Sequence, residues 1–534
     1  MRNTLITFLA LGFIFASCEF DKGFEEMNVN PNAAAQIGVG NKFAKTILDT
    51  SGGRYENWRN SFIYNSTLIQ HHATLAGYWS GDKYYRVDSY ATSLWDRYYP
   101  SAVKGIEDII QQLKDEGNSG SEMGMARILR VFIYHRITDT HGDIPYSEAG
   151  KGYIDGTLKP KYDAQQDIYM DMLKELEEAV AQIGGSSTMG VSDVMFGGNT
   201  TKWKAWGNSM MLRLAMRMTK ADAASAQAWA VKAISGGTMT SNDHIAMVRH
   251  TDGPGGINRN GHGEVFLVDS QARMSDTFGA HLAGDPRLSV LFEPGNDATT
   301  IVGMPNGRTG SDYTDQDGNT VAGIPNRHVY AQPNAAVRGM DVPMVFQTYA
   351  EVEFLKAEAA IRGWTSGDAK THYENGVKAA MMMLKDIYPA STAITAAEAD
   401  AYLAGAGAYD ATKGWEQCMN EYWKATYLNE YEAYANWRRT GYPTLTATKH
   451  PNSETSGQIM RRMIYPGGEA STNGDSYSAA VARQGADTWM TRMWWINLSL
   501  IHISEPTRLL SIGVCGLGVE KKRGGGGGGG GGGG

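Results

Sequence analysis

Cysteine is nearly missing from this chain, with three in 534 residues. That scarcity excludes a disulfide framework and any cysteine-rich zinc site, since both need several thiols at set spacings. Cys18 and Cys515 lie towards the two ends and leave Cys418 alone in the body. A lone cysteine there reads as a small buried hydrophobe rather than a nucleophile. Positive charge is short as well. The chain carries −8, the first 17 residues hold one positive charge and residues 496–534 a net two, so Cys18 to Trp495 stands at −11. So acidic a body lacks the basic patch that nucleic acid requires, and no nucleic-acid partner is expected. No apolar run reaches the roughly 20 residues of a membrane-spanning helix. His71-His72 lacks the spacing of a helical zinc pair, and no glycine-rich loop joins a strand to a helix as a phosphate cradle would. Neither a metal nor a cofactor is expected. A glycosidase needs two carboxylates flanking one bond, and nothing singles out such a pair among 57 acidic residues.

What is present begins with "MRNTLITFLALGFIFAS": a basic Arg2, an apolar stretch from Leu5 to Phe15, and small Ala16 and Ser17 before Cys18. This is the layout of a secretory signal peptide. The small-small-Cys ending resembles the lipobox of bacterial lipoproteins, in which the cysteine is acylated and becomes the mature N-terminus. Residues 1–17 are therefore expected to be removed and Cys18 to carry the lipid. At the other end, eleven glycines follow "SLIHISEPTRLLSIGVCGLGVEKKR". A glycine run behaves as a random coil and specifies no fold. The stretch before it resembles the translation of a sequencing-library adapter, so residues 496–534 are expected to be a non-native tail.

Between these ends, apolar residues recur at the helical period. Trp95, Tyr99, Val103, Ile106, Ile110 and Leu113 share one stripe, as do Ile168, Met172, Leu173, Leu176, Val180 and Ile183. "ARILRVFIYHRI" adds Ile128, Leu129, Phe132 and Ile133, and further helices are expected at 201–220, 223–235, 347–362, 367–386 and 414–437. Paired helices with short connectors suggest stacked hairpins that bury each other's faces. Residues 237–345 are instead rich in Gly, Asn, Asp and Pro, and long polar loops on a rigid scaffold suit binding.

Several stretches of this body match a known family: "FEEMNVNPNAA" (24–34), "DTHGDIPYSEA" (139–149), "TKWKAWGNSMMLRLAMRM" (201–218), "YEAYANWRRTGYPTL" (431–445), "RRMIYPGGE" (461–469) and "TRMWW" (491–495). The chain resembles the SusD/RagB-like nutrient-binding outer-membrane lipoproteins across nearly all of 18–495. The resemblance implies an all-α fold with a tetratricopeptide-like hairpin scaffold and a loop-rich, irregular second part. It implies a lipid-anchored cell-surface protein of the outer membrane that partners a SusC-like TonB-dependent transporter. It further implies an oligosaccharide ligand or, in some members, a peptide, and no catalysis.

Sugar rings present apolar faces rimmed by hydroxyls, so their sites combine aromatic platforms with polar side chains. The densest such cluster is "GYWSGDKYYRVDSY" (77–90), where Trp79, Tyr84 and Tyr85 are the expected platforms and Asp82 and Arg86 the polar flank. A second candidate, "GGINRNGHGE", offers Asn258, Arg259, Asn260 and His262, and a weaker third offers Trp58 and Arg59. Other motifs read as structure. Gly142 and Gly441 stop helices, Asp163 stands where an N-cap is expected, and His71-His72 looks like a polar helix end.

Overall fold

The computed structural model of the protein describes residues 37–309 and 326–497. Cys18, the signal stretch and residues 498–534 of the expected tail lie outside the described residues. Ile496, where that tail was expected to begin, is buried beside Trp495.

Helices α1 (Val39–Ser51), α2 (Asn57–Ser66, wound with the wide π turn) and α3 (Lys104–Asp115) open the chain. They are followed by α4 (Ser121–His141), α5 (Gln165–Gln182), α6 (Thr200–Arg217) and α7 (Ala223–Ser235). Each of α3 to α7 packs on its neighbour in sequence, the arrangement of stacked helical hairpins. A short α8 (Gly261–Val268) lies in the irregular part; α9 (Tyr349–Ile361), α10 (Ala369–Ile387), α11 (Gly414–Ala425) and α12 (Glu430–Thr440) complete the scaffold. Among the described residues the strands are four short antiparallel pairs, the longest joining Ala246–Val248 to Met344–Gln347. The fold is thus all-α with tetratricopeptide-like hairpins, as the sequence leads one to expect.

Local chemistry explains the main elements. In α3, Ile106, Ile109, Ile110 and Leu113 are buried while Lys114 faces outward, a one-sided helix. Helix α4 is different, because all of its residues but Arg127 are buried. Its interior position needs internal partners for its charges. Arg130 Nε lies 2.7 Å from Glu107 of α3 and its Nη1 2.6 Å from Glu175 of α5. Farther along, Arg213 pairs with Glu351 at 2.6 Å, Arg217 with Glu432 at 2.6 Å, and Arg439 grips both oxygens of Glu358 at 2.8 Å. These pairs tie α6, α9 and α12 together. Cys418 is fully buried, and burial pushes its thiol up, so it stays an inert thiol.

Gly142 (φ 90°) ends α4 and Gly441 (φ 83°) ends α12, both in the left-handed region that favours glycine. Three expectations need correction. Residues 414–437 form two helices, broken at 426–429, where Leu428 takes φ 64° and its N–H donates to Glu430 Oε1. Asp163 does not cap α5. Its carboxylate accepts from Ser147 instead, and Asp143 Oδ1 receives the Gln165 N–H at 2.8 Å. Nor are His71 and His72 a polar helix end: both are fully buried, with His71 Nδ1 2.8 Å from Glu430 and His72 paired in a short ladder with Met274. Among the described residues no helix is long and apolar enough to cross a membrane.

Candidate functional site

Asp269, at the C-terminal end of α8, is the hinge on which an aromatic cluster is hung. Its carboxylate receives the Tyr78 hydroxyl at 2.7 Å and the indole N–H groups of Trp58 and Trp79, the latter at 3.0 Å. Three donors on one nearly buried carboxylate fix three rings at once, since charge-assisted bonds are short and directional. The rings then diverge. Trp79 is fully buried and meets Phe62 edge-on at 6.3 Å, whereas Tyr78 is 40% exposed and Trp58 is half-buried. Trp58 lies 6.3 Å from Tyr78 and 6.4 Å from Tyr90, another half-buried ring. The Arg59 guanidinium stacks at 3.7 Å over Tyr55 and reaches 5.4 Å from Tyr90. Burial, with the Asp269 carboxylate facing it, pushes the Tyr78 phenol up, so it remains a hydrogen-bond donor at any physiological pH.

The result is a row of half-exposed aromatic rings bordered by a guanidinium. Leu267 and Val268, both exposed at the end of α8, lie beside the anchor in sequence. Such a surface offers stacking faces for sugar rings and donors for their hydroxyls. Asp269 has its oxygens taken up by Trp58, Trp79 and Tyr78, so it orients rings rather than acting on a ligand.

The leading residues read from "GYWSGDKYYR" are placed differently. Trp79, Tyr84 and Asp82 are buried to within 1% and present no face to a ligand. Tyr84 takes φ 56° and its hydroxyl accepts the Thr448 N–H at 3.1 Å. Asp82 binds Lys83 Nζ, Asn306 Nδ2 and the Gly307 N–H at 2.9 Å each. This stretch therefore clamps two distant loops to α2. Tyr85 is half-buried, with its hydroxyl on the Gly77 carbonyl and its ring 6.2 Å from His450, and Arg86 is exposed and paired with Asp88. These two stay at the surface.

The second candidate folds upon itself. Asn260 is the N-cap of α8: its Oδ1 accepts from His262 and Gly263, and its Nδ2 donates to Val342 at 2.7 Å. His262 is buried edge-on to Phe62 at 4.9 Å. Arg259 pairs with Asp252 at 2.6 Å, and the Asn258 carbonyl accepts the Thr251 N–H. Asn before an apolar run is an N-cap signal, and that signal was there to be read. The structure thus shifts the aromatic surface from Trp79 and Tyr84 to Trp58, the weakest of the three sequence candidates. Tyr78 and Tyr90, which join it, belong to the leading stretch 77–90.

Elsewhere a cleft of about 600 Å³ opens between α3, α4 and α5, but Arg130, Glu107 and Glu175 line it as internal ion pairs. Among the described residues no group of three or more His, Cys, Asp or Glu side chains converges as a metal site would.

Comparison with known proteins agrees with this architecture. Residues 31–466 match the family model SusD-like, described as starch-binding associating with outer membrane. A solved structure described as a chitin-binding protein is 31% identical, covering 86% of this chain and 99% of its own, with a TM-score of 0.77. A Bacteroidetes SusD-like structure is 27% identical over the same shares, with a TM-score of 0.76. A chitin-binding SusD homologue from Flavobacterium johnsoniae, 23% identical with a TM-score of 0.71 over 86% of this chain and 98% of its own, shares the fold. No curated protein matches the sequence.

Proposed function

The chain belongs to the SusD-like family, and from that membership we propose that it is a cell-surface glycan-binding protein working with a SusC-like TonB-dependent transporter. It holds an oligosaccharide for import and does not cleave it. Cys18 carries the lipid that keeps it on the outer membrane. The observation that supports glycan binding is the half-exposed row of Trp58, Tyr78 and Tyr90, held in place by Asp269. Flat aromatic faces at the surface suit a sugar better than a peptide backbone, which needs a ladder edge or an apolar groove.

The family model's starch-binding description and the chitin-binding neighbours direct the first test to malto- and chito-oligosaccharides. Calorimetry with both series, run beside product analysis, tests the reading. Binding that Trp58→Ala weakens by about 1–2 kcal/mol, roughly five- to thirty-fold, fits an aromatic anchor. Release of shortened sugars would remove the binding-only function. Capture of peptides without any glycan would remove the sugar ligand. Co-purification of the full-length chain with an outer-membrane transporter, lost in Cys18→Ala, tests the anchor and the partnership together.

A further inference from the structure

A polar cavity of about 430 Å³ opens where four remote segments of the chain meet, and the rings of the aromatic platform do not line it. Its walls include Gln70, Asp276, Thr277, Asn306, Thr446 and Thr448. Among the described residues no lysine, arginine or aromatic side chain joins them. Side-chain bonds pin the segments to one another. Gln70 takes φ 57°, which a residue with a Cβ rarely adopts, and its Nε2 donates to the Thr446 carbonyl at 2.6 Å. Its Oε1 accepts the Thr277 hydroxyl at 2.8 Å. The Thr448 hydroxyl donates to the Asp82 carbonyl, and Asn306 Nδ2 donates to Asp82 Oδ2 at 2.9 Å. The walls are thus held in place before any ligand arrives.

Counting donors against acceptors shows what these walls ask for. Asn306 Nδ2 spends both of its N–H bonds, on the His72 carbonyl at 2.8 Å and on Asp82 Oδ2. Both partners are acceptors, so the orientation of the amide is set and Oδ1 is the atom left over. Asn306 is 5% exposed, and its Oδ1 is buried with no hydrogen-bond partner among the described residues. A buried acceptor in that condition calls for a donor. The hydroxyl protons of Thr277 and Thr448 are already committed to Gln70 and Asp82, which leaves their lone pairs. Asp276 is exposed; its Oδ1 accepts the Thr277 N–H at 2.7 Å, and its Oδ2 receives no bond from a described residue. Acceptors are in excess, and the ligand that suits them brings several donors.

We propose that this cavity is a second sugar site, which grips the hydroxyl edge of a sugar ring and not its face. Asp276 Oδ2 takes one or two neighbouring hydroxyls, and the oxygens of Asn306, Thr277 and Thr446 take others. The volume falls within the range of small-molecule sites, about 300–1,000 Å³. The choice of a sugar as the donor-rich ligand rests on the glycan-binding reading above; the preference for donors rests on the cavity. A calcium ion takes about six to eight oxygens, commonly from several carboxylates. Asp276 is the single carboxylate that lines the cavity among the described residues. A polyamine would likewise need more than one.

The test is calorimetry of the full chain with maltotriose, triacetylchitotriose, calcium chloride and putrescine. It compares wild type, Trp58→Ala, Asp276→Ala and Ala280→Trp, the last filling the cavity from an exposed position on its wall. The expected result is a sugar-binding event that persists in Trp58→Ala, weakens at least about tenfold in Asp276→Ala and is lost in Ala280→Trp. Asp276→Asn, which still accepts the Thr277 N–H, gives the same weakening if the alanine variant is unstable. Loss of all sugar binding in Trp58→Ala overturns the proposal, and so does a surviving event that neither the Asp276 variants nor Ala280→Trp alter. Calcium or putrescine bound as tightly as the sugar overturns the sugar assignment. Wild-type sugar binding that Trp58→Ala leaves whole and Ala280→Trp removes overturns the first platform and upholds this site. No sugar binding by any form of the chain overturns both.

Discussion

Trp58 and Trp79 donate their indole N–H groups to the same oxygen of Asp269, yet one is only half-buried and the other is sealed in the core. The two tryptophans should therefore respond in opposite ways to truncation. Trp79→Ala opens a cavity and should cost about 3–5 kcal/mol of stability. Trp58→Ala should leave the melting temperature much nearer the wild type and fall chiefly on glycan affinity. Calorimetric melting and sugar titration of both variants check this; a Trp79→Ala protein with native stability would contradict the packing described.

Asp269→Ala removes one acceptor from three rings. A hydrogen bond to a charged acceptor contributes about 1.5–3 kcal/mol, so losing three should cost about 4 kcal/mol or more. Sugar binding should fall as it does in Trp58→Ala although Asp269 touches no ligand, because the rings lose their setting. Asp269→Asn should recover part of both, since one amide oxygen still accepts.

Gly81 lies where backbone meets backbone. A Cβ there would stand 2.2 Å from the Ile63 carbonyl oxygen and 2.8 Å from Tyr64 Cα, both in α2. No side-chain adjustment relieves that contact, so Gly81→Ala should cost about 2–3 kcal/mol through displacement of the loop. Denaturant titration reads it as a lowered midpoint.

Acid should act through buried carboxylates. Burial pushes Glu421 up, but Arg287 and Lys424, at 2.6 and 2.8 Å, outweigh it and hold the carboxyl at about 2. A folded value below the unfolded one, about 4.3, means that this stability is complete above that pH and is lost as the pH falls towards 2. Glu421→Gln should be less stable at pH 7 and lose less on going from pH 5 to pH 2. Urea midpoints across that range provide the measurement; an unchanged slope would show that Glu421 does not titrate as placed.

Periodicity made the scaffold legible, because α3 and α5 bury one face against a neighbour and so carry a clear 3.6-residue stripe. Helix α4 is buried all round and showed only part of its core. The break at 426–429 left no such mark, since Leu428 is an ordinary helix former whose positive φ is held by Glu430. The site was harder to read. In an irregular turn, adjacent Tyr78 and Trp79 have no period to say which faces inward, and a carboxylate 190 residues away decides it. The N-cap role of Asn260 is local, and there the sequence alone held enough.

Because the rings come from residues 58–90 and their anchor from 269, the platform is assembled only when remote parts of one chain close upon each other. A proteolytic fragment or an incomplete chain would own the tryptophans without owning the site. Ligand would then favour the closed chain by mass action, adding about 2.7 kcal/mol at a concentration one hundred times its Kd. Glycan capture would thus serve as an audit of complete folding, one that a spectrum of helical content alone could not provide.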